Sequence, residues 1–319
     1  MNRQKFCIDN REISSNRPPY VVAEVSANHN GSIQRAKDTI LAAKNAGVDA
    51  VKIQTYTPDT MTIDVENTDF YIKEGLWKNR SLYDLYREAY TPYEWHEELF
   101  KFSNDIGVTL FSSPFDESAV DLLVSLNVPA FKVASFEVVD LPLIKYIASK
   151  KKPILMSTGM ASLEEIGNAV ESAKSAGNQD LALFHCISSY PAPISESNLN
   201  LITILRKEFS IQVGLSDHTI GNLASVVATS LGASMIEKHF TLNRSEGGVD
   251  SSFSLEPKEM ELLVKQTREA FSALGCNTFA RSTSEESNKV FRRSLYFVKD
   301  VNEGDVITKE SVRRIRPGF

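Results

Sequence analysis

The chain has 319 residues, 42% of them hydrophobic and 24% charged, which is enough apolar material for one large domain or two ordinary ones. A net charge of -6 and a pI near 5.5 exclude a general polyanion binder, so any anionic ligand has to be met by a local pocket and no nucleic-acid partner is expected. Cys7, Cys186 and Cys276, widely spaced and without a CxxC pair, exclude a disulfide framework and a zinc ribbon and fit the reducing cytoplasm. The opening "MNRQKFCIDNREI" lacks the apolar run of a secretory signal. No stretch approaches the roughly 20 apolar residues that span a bilayer, so no membrane partner is expected.

Short apolar, β-branched runs recur along the chain. They are "YVVAEVSA" (20–27), "AVKIQTY" (50–56), "VTLFSSP" (108–114), "AFKVAS" (130–135), "PILMST" (153–158), "LALFHCIS" (181–188), "IQVGLSD" (211–217) and "SMIEKHF" (234–240). Near-continuous hydrophobicity is the pattern of parallel strands covered on both faces. Helical periodicity lies between them. "SIQRAKDTILAAKNAG" opens on Ser32 as N-cap and stops at Gly47. "LEEIGNAVESAKSAG" stops at Gly177, and "PKEMELLVKQTREAFSALG" closes the series at Gly275. Eight β–α units predict an α/β TIM (β/α)8 barrel over residues 1–275. The alternative, a doubly wound open sheet, lacks a GxGxxG after its first strand.

Two regions break the rhythm. Residues 57–91 form a long aromatic insertion after the second strand, and inserted βα loops of a barrel shape its pocket. Trp77, Tyr83 and Tyr86 in it read as packing residues or as a sugar platform, and His96 in "TPYEWHEELF" reads as structural. Residues 276–292 are polar and read as a linker. The last piece, 293–319, carries two short strands and an "NEGD" turn and is too short to build a core alone.

Barrel chemistry collects at the C-terminal ends of the strands. In order these supply Glu24; Lys52 and Gln54; Ser112 and Ser113; Lys132, Ser135 and Glu137; Ser157 and Thr158, then Gly159; His185, Ser188, Ser189 and Tyr190; Ser216, Asp217 and His218; and Glu237, Lys238 and His239. Three lysines, Lys52, Lys132 and Lys238, at one mouth would repel one another unless an anion neutralises them. They therefore predict a phosphate or carboxylate ligand, with Ser113, Ser135, Ser157 and Ser216 as hydroxyl donors. His218 and His239 end adjacent strands, about 4.8 Å apart, and read either as two satisfied histidines or as a pair that shares a divalent ion. Glu24 could act as general acid or base in the same mouth.

The ordered set "AEVSANHNGS", "VKIQTYTPD", "FSSPFD", "FKVASFE", "STGMAS", "HCISSYP", "GLSDHT" and "IEKHFTL" resembles the sialic acid synthase family, from about residue 20 to the C-terminus. The resemblance implies a transferase that condenses phosphoenolpyruvate with an N-acylated hexose to a nine-carbon 2-keto acid. "TYTPDTMT", "EGLWKNRSLYDLY", "TPYEWH" and "DSSFSL" are similar to the branch that makes pseudaminic acid, whose acceptor is a 2,4-diacetamido-2,4,6-trideoxy-altrose. The neuraminate- and legionaminate-forming branches are the alternatives within the family.

The resemblance also implies residue roles. His218 and His239 would hold a divalent metal ion, Mn2+ or Mg2+. Lys52, Lys132, Ser113, Ser135, Ser157 and Ser216 would bind phosphoenolpyruvate, and Glu24 would be a catalytic carboxylate near the sugar aldehyde. Gln54, Glu137, Tyr190 and Asp250 would face the acceptor. Residues 293–319 resemble the first part of an antifreeze-like (SAF) domain, which implies a truncated form of that domain and a homodimer in the cytoplasm. Two rivals make different demands. A Schiff-base aldolase would use Lys52, Lys132 or Lys238 as nucleophile and ignore chelators. A non-catalytic sugar-binding protein would release no phosphate.

Overall fold

The computed structural model describes residues 5–276 and 278–318. The chain divides into two compact units, Met1–Leu274 and Gly275–Phe319. The barrel of the first has eight strands: β1 (Tyr20–Glu24), β2 (Ala50–Thr55), β3 (Thr109–Pro114), β4 (Phe131–Val133), β5 (Ile154–Ser157), β6 (Leu181–Cys186), β7 (Gln212–Asp217) and β8 (Met235–His239). They close into a barrel in the order β8-β1-β2-β3-β4-β5-β6-β7, and every neighbouring pair is parallel. Each of the eight runs predicted from hydrophobicity contributes one strand, trimmed by one to three residues. The open sheet is thereby excluded.

Eight helices follow the strands: α1 (Ile33–Asn45), α2 (Tyr93–Ile106), α3 (Glu117–Ser125), α4 (Leu141–Ser149), α5 (Leu163–Ser175), α6 (Leu201–Phe209), α7 (Leu223–Ser230) and α8 (Pro257–Ala273). Their starts follow capping chemistry. Ser32 Oγ accepts from the Arg35 amide at 3.2 Å, Asp116 caps α3, and Ser162 with Glu165 forms a capping box on α5. Gly107 ends α2 with φ 73°, a left-handed turn that needs no Cβ. Strand residues are buried on both faces, because helices cover the outside and side chains fill the inside. That is why the strand signal was an apolar run rather than an alternation.

A short N-terminal hairpin, Phe6–Ile8 paired antiparallel with Arg11–Ile13, escaped the sequence reading. Phe6, Ile8 and Ile13 are buried in the main core. Its polar groups bind residues at the starts of strands. Arg11 pairs with Asp49, Thr109 Oγ1 donates to Asp9 Oδ2 at 2.6 Å, and the Ser15 amide donates to Gln212 Oε1 at 3.1 Å. The hairpin therefore closes the end of the barrel opposite the strand C-termini.

The 57–91 insertion folds as a helical turn (Pro58–Met61), a second turn (Thr68–Phe70) and a helix (Leu82–Ala89) capped by Ser81. The Trp77 indole N–H donates to the Val249 carbonyl at 3.0 Å, which ties the insertion to the loop after β8. In the second unit, Thr283–Glu286 and Ser287–Phe291 are helical turns, and Ser294–Phe297 pairs antiparallel with Val312–Ile315. The "NEGD" turn is closed by the Asp305 amide on the Asn302 carbonyl at 3.1 Å. Among the described residues no helix is long and apolar enough to cross a membrane.

Candidate active site

The C-terminal rim of the barrel carries an ionic lattice centred on Glu237. Lys52 Nζ donates to Glu237 Oε1 at 2.9 Å and Lys132 Nζ donates to Glu237 Oε2 at 2.8 Å. Ser216 Oγ donates to Oε1 at 3.0 Å. Lys52 also pairs with Glu24 Oε2 at 3.2 Å, and Gln54 Nε2 donates to Glu24 Oε1 at 3.1 Å. The Lys132 ammonium lies 4.3 Å from the centre of the Phe184 ring. Register explains the convergence: Glu24 lies beside Lys52, Gln54 beside Ser113, Glu237 beside Ser216 and Ser157 beside Phe184.

Lys52, Lys132, Glu24 and Glu237 are all nearly fully buried, so their charges are set by one another. Burial works against charge on Glu237, but Lys132 and Lys52 outweigh it and hold the carboxyl far below its usual range. Burial likewise opposes charge on Lys52, but Glu237 and Glu24 outweigh it and raise the ammonium. On Lys132 burial wins and pulls it to about 8, against Glu237. Burial pushes Glu24 up to about 7, with Lys52 opposing. Near neutral pH the two lysines thus face the full carboxylate of Glu237, while burial pushes Glu24 toward its neutral form.

Lys238 is not part of this rim, which corrects the three-lysine expectation. Successive strand residues point to opposite faces. Glu237 meets the interior lysines, so Lys238 points outward, where it pairs with Asp217 Oδ2 at 3.0 Å and donates to the Thr219 carbonyl. Repulsion between the two interior lysines is relieved by Glu237, a strand-end residue to which the sequence alone assigns no role. Alternation along β8 was the signal that could have found it.

Beside the lattice stand the two imidazoles. His218 and His239 have ring centres 5.5 Å apart. His218 Nδ1 lies 2.8 Å from the Ile187 carbonyl, an acceptor only, so Nδ1 carries the proton and Nε2 keeps its lone pair. His218 Nε2 lies 3.5 Å from Ser216 Oγ, which joins the imidazoles to the Glu237 lattice. His239 Nδ1 is buried without a hydrogen-bond partner among the described residues, 4.0 Å from Asp250 Oδ2. Burial lowers His218 to about 4 and His239 well below its usual value, with the His218 and Lys52 charges adding to the latter. Neutral imidazoles with free lone pairs are what a divalent ion requires. Among the described residues no group of three or more His, Cys, Asp or Glu side chains is arranged for a metal. The two histidines fit an ion that takes its other ligands from water or substrate.

Tyr190 roofs the imidazoles, its ring centre 4.3 Å from His218 and 5.9 Å from His239. Phe253 packs on Tyr190 at 5.3 Å and on His239 at 4.9 Å, and Trp77 packs on Tyr190 at 5.9 Å. Trp77 is therefore a packing residue whose partners belong to the site. Tyr86 packs on Tyr56, whereas Tyr83 Oη reaches Asp59 Oδ1 within the insertion. His96 is structural as expected, held by Thr55 Oγ1 at 2.8 Å and the Pro92 carbonyl at 3.0 Å.

Ser135 Oγ lies 3.1 Å from Cys186 Sγ, and a Cβ on Gly159 would come within 2.8 Å of both and 2.1 Å of Ser188 Oγ. Only glycine leaves these three groups room to converge; Ser188 is one of the polar strand-end residues expected at this mouth, whereas Cys186 is not among them. Ser113 Oγ is buried without a partner among the described residues. Glu137 stands apart from the lattice, on the turn after β4, with Oε2 buried and without a partner among the described residues. Burial pushes it up to about 7.

The NeuB family is matched over residues 39–278. The chain belongs to the NeuB family, the sialic acid synthase family expected from the ordered motifs. It is 44% identical over 306 residues to a pseudaminic acid synthase of Campylobacter jejuni, covering 96% of this chain and 89% of that protein. It is 36% identical to an N,N'-diacetyllegionaminic acid synthase of Legionella pneumophila, covering 97% of this chain and 90% of the relative. Among solved structures, an N-acetylneuraminic acid synthetase from Leptospira borgpetersenii, in complex with citrate, superposes with a TM-score of 0.81 at 29% identity. That likeness covers 90% of this chain and 95% of the other.

Proposed function

We propose that the chain makes pseudaminic acid by condensing phosphoenolpyruvate with 2,4-diacetamido-2,4,6-trideoxy-altrose, releasing phosphate, with a divalent ion at His218 and His239. The observation that carries the reading is the meeting of two centres at one rim: a Lys52–Glu237–Lys132 lattice, and, through Ser216, a pair of neutral imidazoles. The level of identity to pseudaminic acid synthases supports this acceptor over those of the other branches.

In this reading Lys52 and Lys132 bind the phosphate and carboxylate of phosphoenolpyruvate, and Ser113, Ser135, Ser157 and Ser216 donate to the remaining oxygens. Glu237 keeps both lysines charged and separated, so the charges are positioned before substrate arrives. A bound ion would supply Lewis-acid polarisation of the sugar aldehyde. Gln54, Glu137, Tyr190 and Asp250 orient the open-chain acceptor, and Trp77 with Phe253 excludes water from that side. The enol ester's C3 bonds to the aldehyde carbon, and Glu24 delivers a proton to the resulting alkoxide. Water then adds at C2, and phosphate leaves by C–O cleavage. An acid held near pH 7 is suited to giving and regaining a proton.

Homodimer formation, a cytoplasmic location and an antifreeze-like identity for residues 293–319 belong to the same reading. Phosphate release from phosphoenolpyruvate, measured with a panel of acceptors and with and without chelator, tests it. Release with the 2,4-diacetamido-trideoxy-altrose that chelator abolishes is expected. Preference for N-acetylmannosamine would overturn the acceptor, and chelator-insensitive turnover trapped by borohydride would overturn the mechanism in favour of a Schiff base.

A further inference from the structure

The outward-facing ion pair behind the two imidazoles is not used by any step above. Lys238 and Asp217 are each about 2% exposed or less. Burying such a pair carries a large desolvation penalty, so it persists only where hydrogen bonds complete it. Here they do. Asp217 Oδ1 accepts from the Thr219 amide at 2.9 Å and from Thr219 Oγ1 at 2.8 Å. Asp217 Oδ2 accepts from Ser225 Oγ at 2.6 Å and pairs with Lys238 at 3.0 Å. The Lys238 ammonium also donates to the Thr219 carbonyl.

The position of this network in the chain gives it a task. The β7–β8 ladder pairs Ile236 with Leu215, Glu237 with Ser216 and Lys238 with Asp217, and ends there. His218 and His239 are the next residue on each strand, so no ladder pairing fixes one imidazole relative to the other. Lys238 immediately precedes His239 and grips the residues on both sides of His218, Asp217 by its carboxylate and Thr219 by its carbonyl. One ammonium thus spans the gap the ladder leaves.

We propose that Lys238 and Asp217 are positioning residues for the two-histidine centre, setting the separation of His218 and His239 from the outer face of the barrel. The proposal rests on the reading of that centre as a site for a divalent ion. Groups behind metal ligands typically change metal affinity by about 10–100-fold when removed. Lys238 has no contact with the Glu237 lattice, so its loss should leave the anion pocket intact.

The test is equilibrium titration of the purified chain with Mn2+, read by the free-ion signal, beside titration with phosphoenolpyruvate. Lys238→Met is expected to weaken Mn2+ about tenfold or more, with phosphoenolpyruvate affinity within about twofold of the parent. Because Lys238→Met leaves Asp217 buried against fewer partners and can unfold the barrel, Asp217→Asn/Lys238→Met removes both charges and provides a folded comparison. It is expected to show the same selective loss of Mn2+. Parental Mn2+ affinity in either folded variant overturns the proposal, as does an equal loss of both ligands, the mark of a general structural role. A parent chain that binds no Mn2+ overturns the metal reading and the proposal with it.

Discussion

The two ends of this barrel differ in how their polar groups are paired. At the N-terminal end Arg11 pairs with Asp49, the Val21 amide donates to Asp49 Oδ2 at 2.8 Å, Thr109 donates to Asp9 and the Ser15 amide to Gln212, while Tyr20 Oη is buried without a hydrogen-bond partner among the described residues. At the C-terminal end Ser113 Oγ, Glu137 Oε2 and His239 Nδ1 are buried without hydrogen-bond partners among the described residues. An orphaned buried polar atom costs about 1–3 kcal/mol, so a fold keeps several in one place only where something else compensates. More orphaned polar atoms at the C-terminal end agree with the usual division of barrels into a stabilising end and a functional end.

Substitutions at each end can break or sharpen that contrast. The largest effect belongs to Lys132→Met, which leaves Glu237 with one lysine and removes one of the two charges proposed to bind the anion. It should lower kcat/KM for phosphoenolpyruvate by about 100–1000-fold, measured by phosphate release. Unchanged kcat/KM would remove the anion pocket from the C-terminal rim. His239→Ala should come next, weakening Mn2+ at least about tenfold in a metal titration while the chain stays folded.

Glu137→Gln should change the pH dependence of stability. The Glu137 carboxyl is raised by burial from 4.5 to about 7. Its contribution is therefore fully present below the unfolded value and is lost as pH rises through about 7. The parent should lose up to about 3 kcal/mol between pH 5 and pH 8 from this one group, and Glu137→Gln should flatten that slope. A slope that persists in chemical denaturation of the variant would show that Glu137 is not the titrating group. Arg11→Ala at the other end should cost about 1–2 kcal/mol of stability by denaturation and leave kcat and both KM values at parental levels.

Sequence alone carried the barrel, because eight strands buried on both faces write themselves as apolar runs that punctuated helices separate. It missed the N-terminal hairpin, whose strands are three residues each, too short for a period-two pattern to stand out. Most of the rim residues were legible because strand ends turn polar together. What was not legible was pairing. Glu237 was passed over although it bridges Lys52 and Lys132, and Lys238 was grouped with them although one residue of offset sends it to the other face. The imidazole pair was named from adjacent strand ends. The tautomer of His218 came only from the Ile187 carbonyl: Ile187 lies within "HCISSYP", but a motif does not show which backbone oxygen an imidazole meets.

A crystal structure with Mn2+ and phosphoenolpyruvate tests the central claim most directly. The account predicts the enol ester within hydrogen-bond distance of Lys52 and Lys132, and the ion about 2.1 Å from a ring nitrogen of both His218 and His239. An enol ester bound away from both lysines, or an ion that touches neither imidazole, would contradict it.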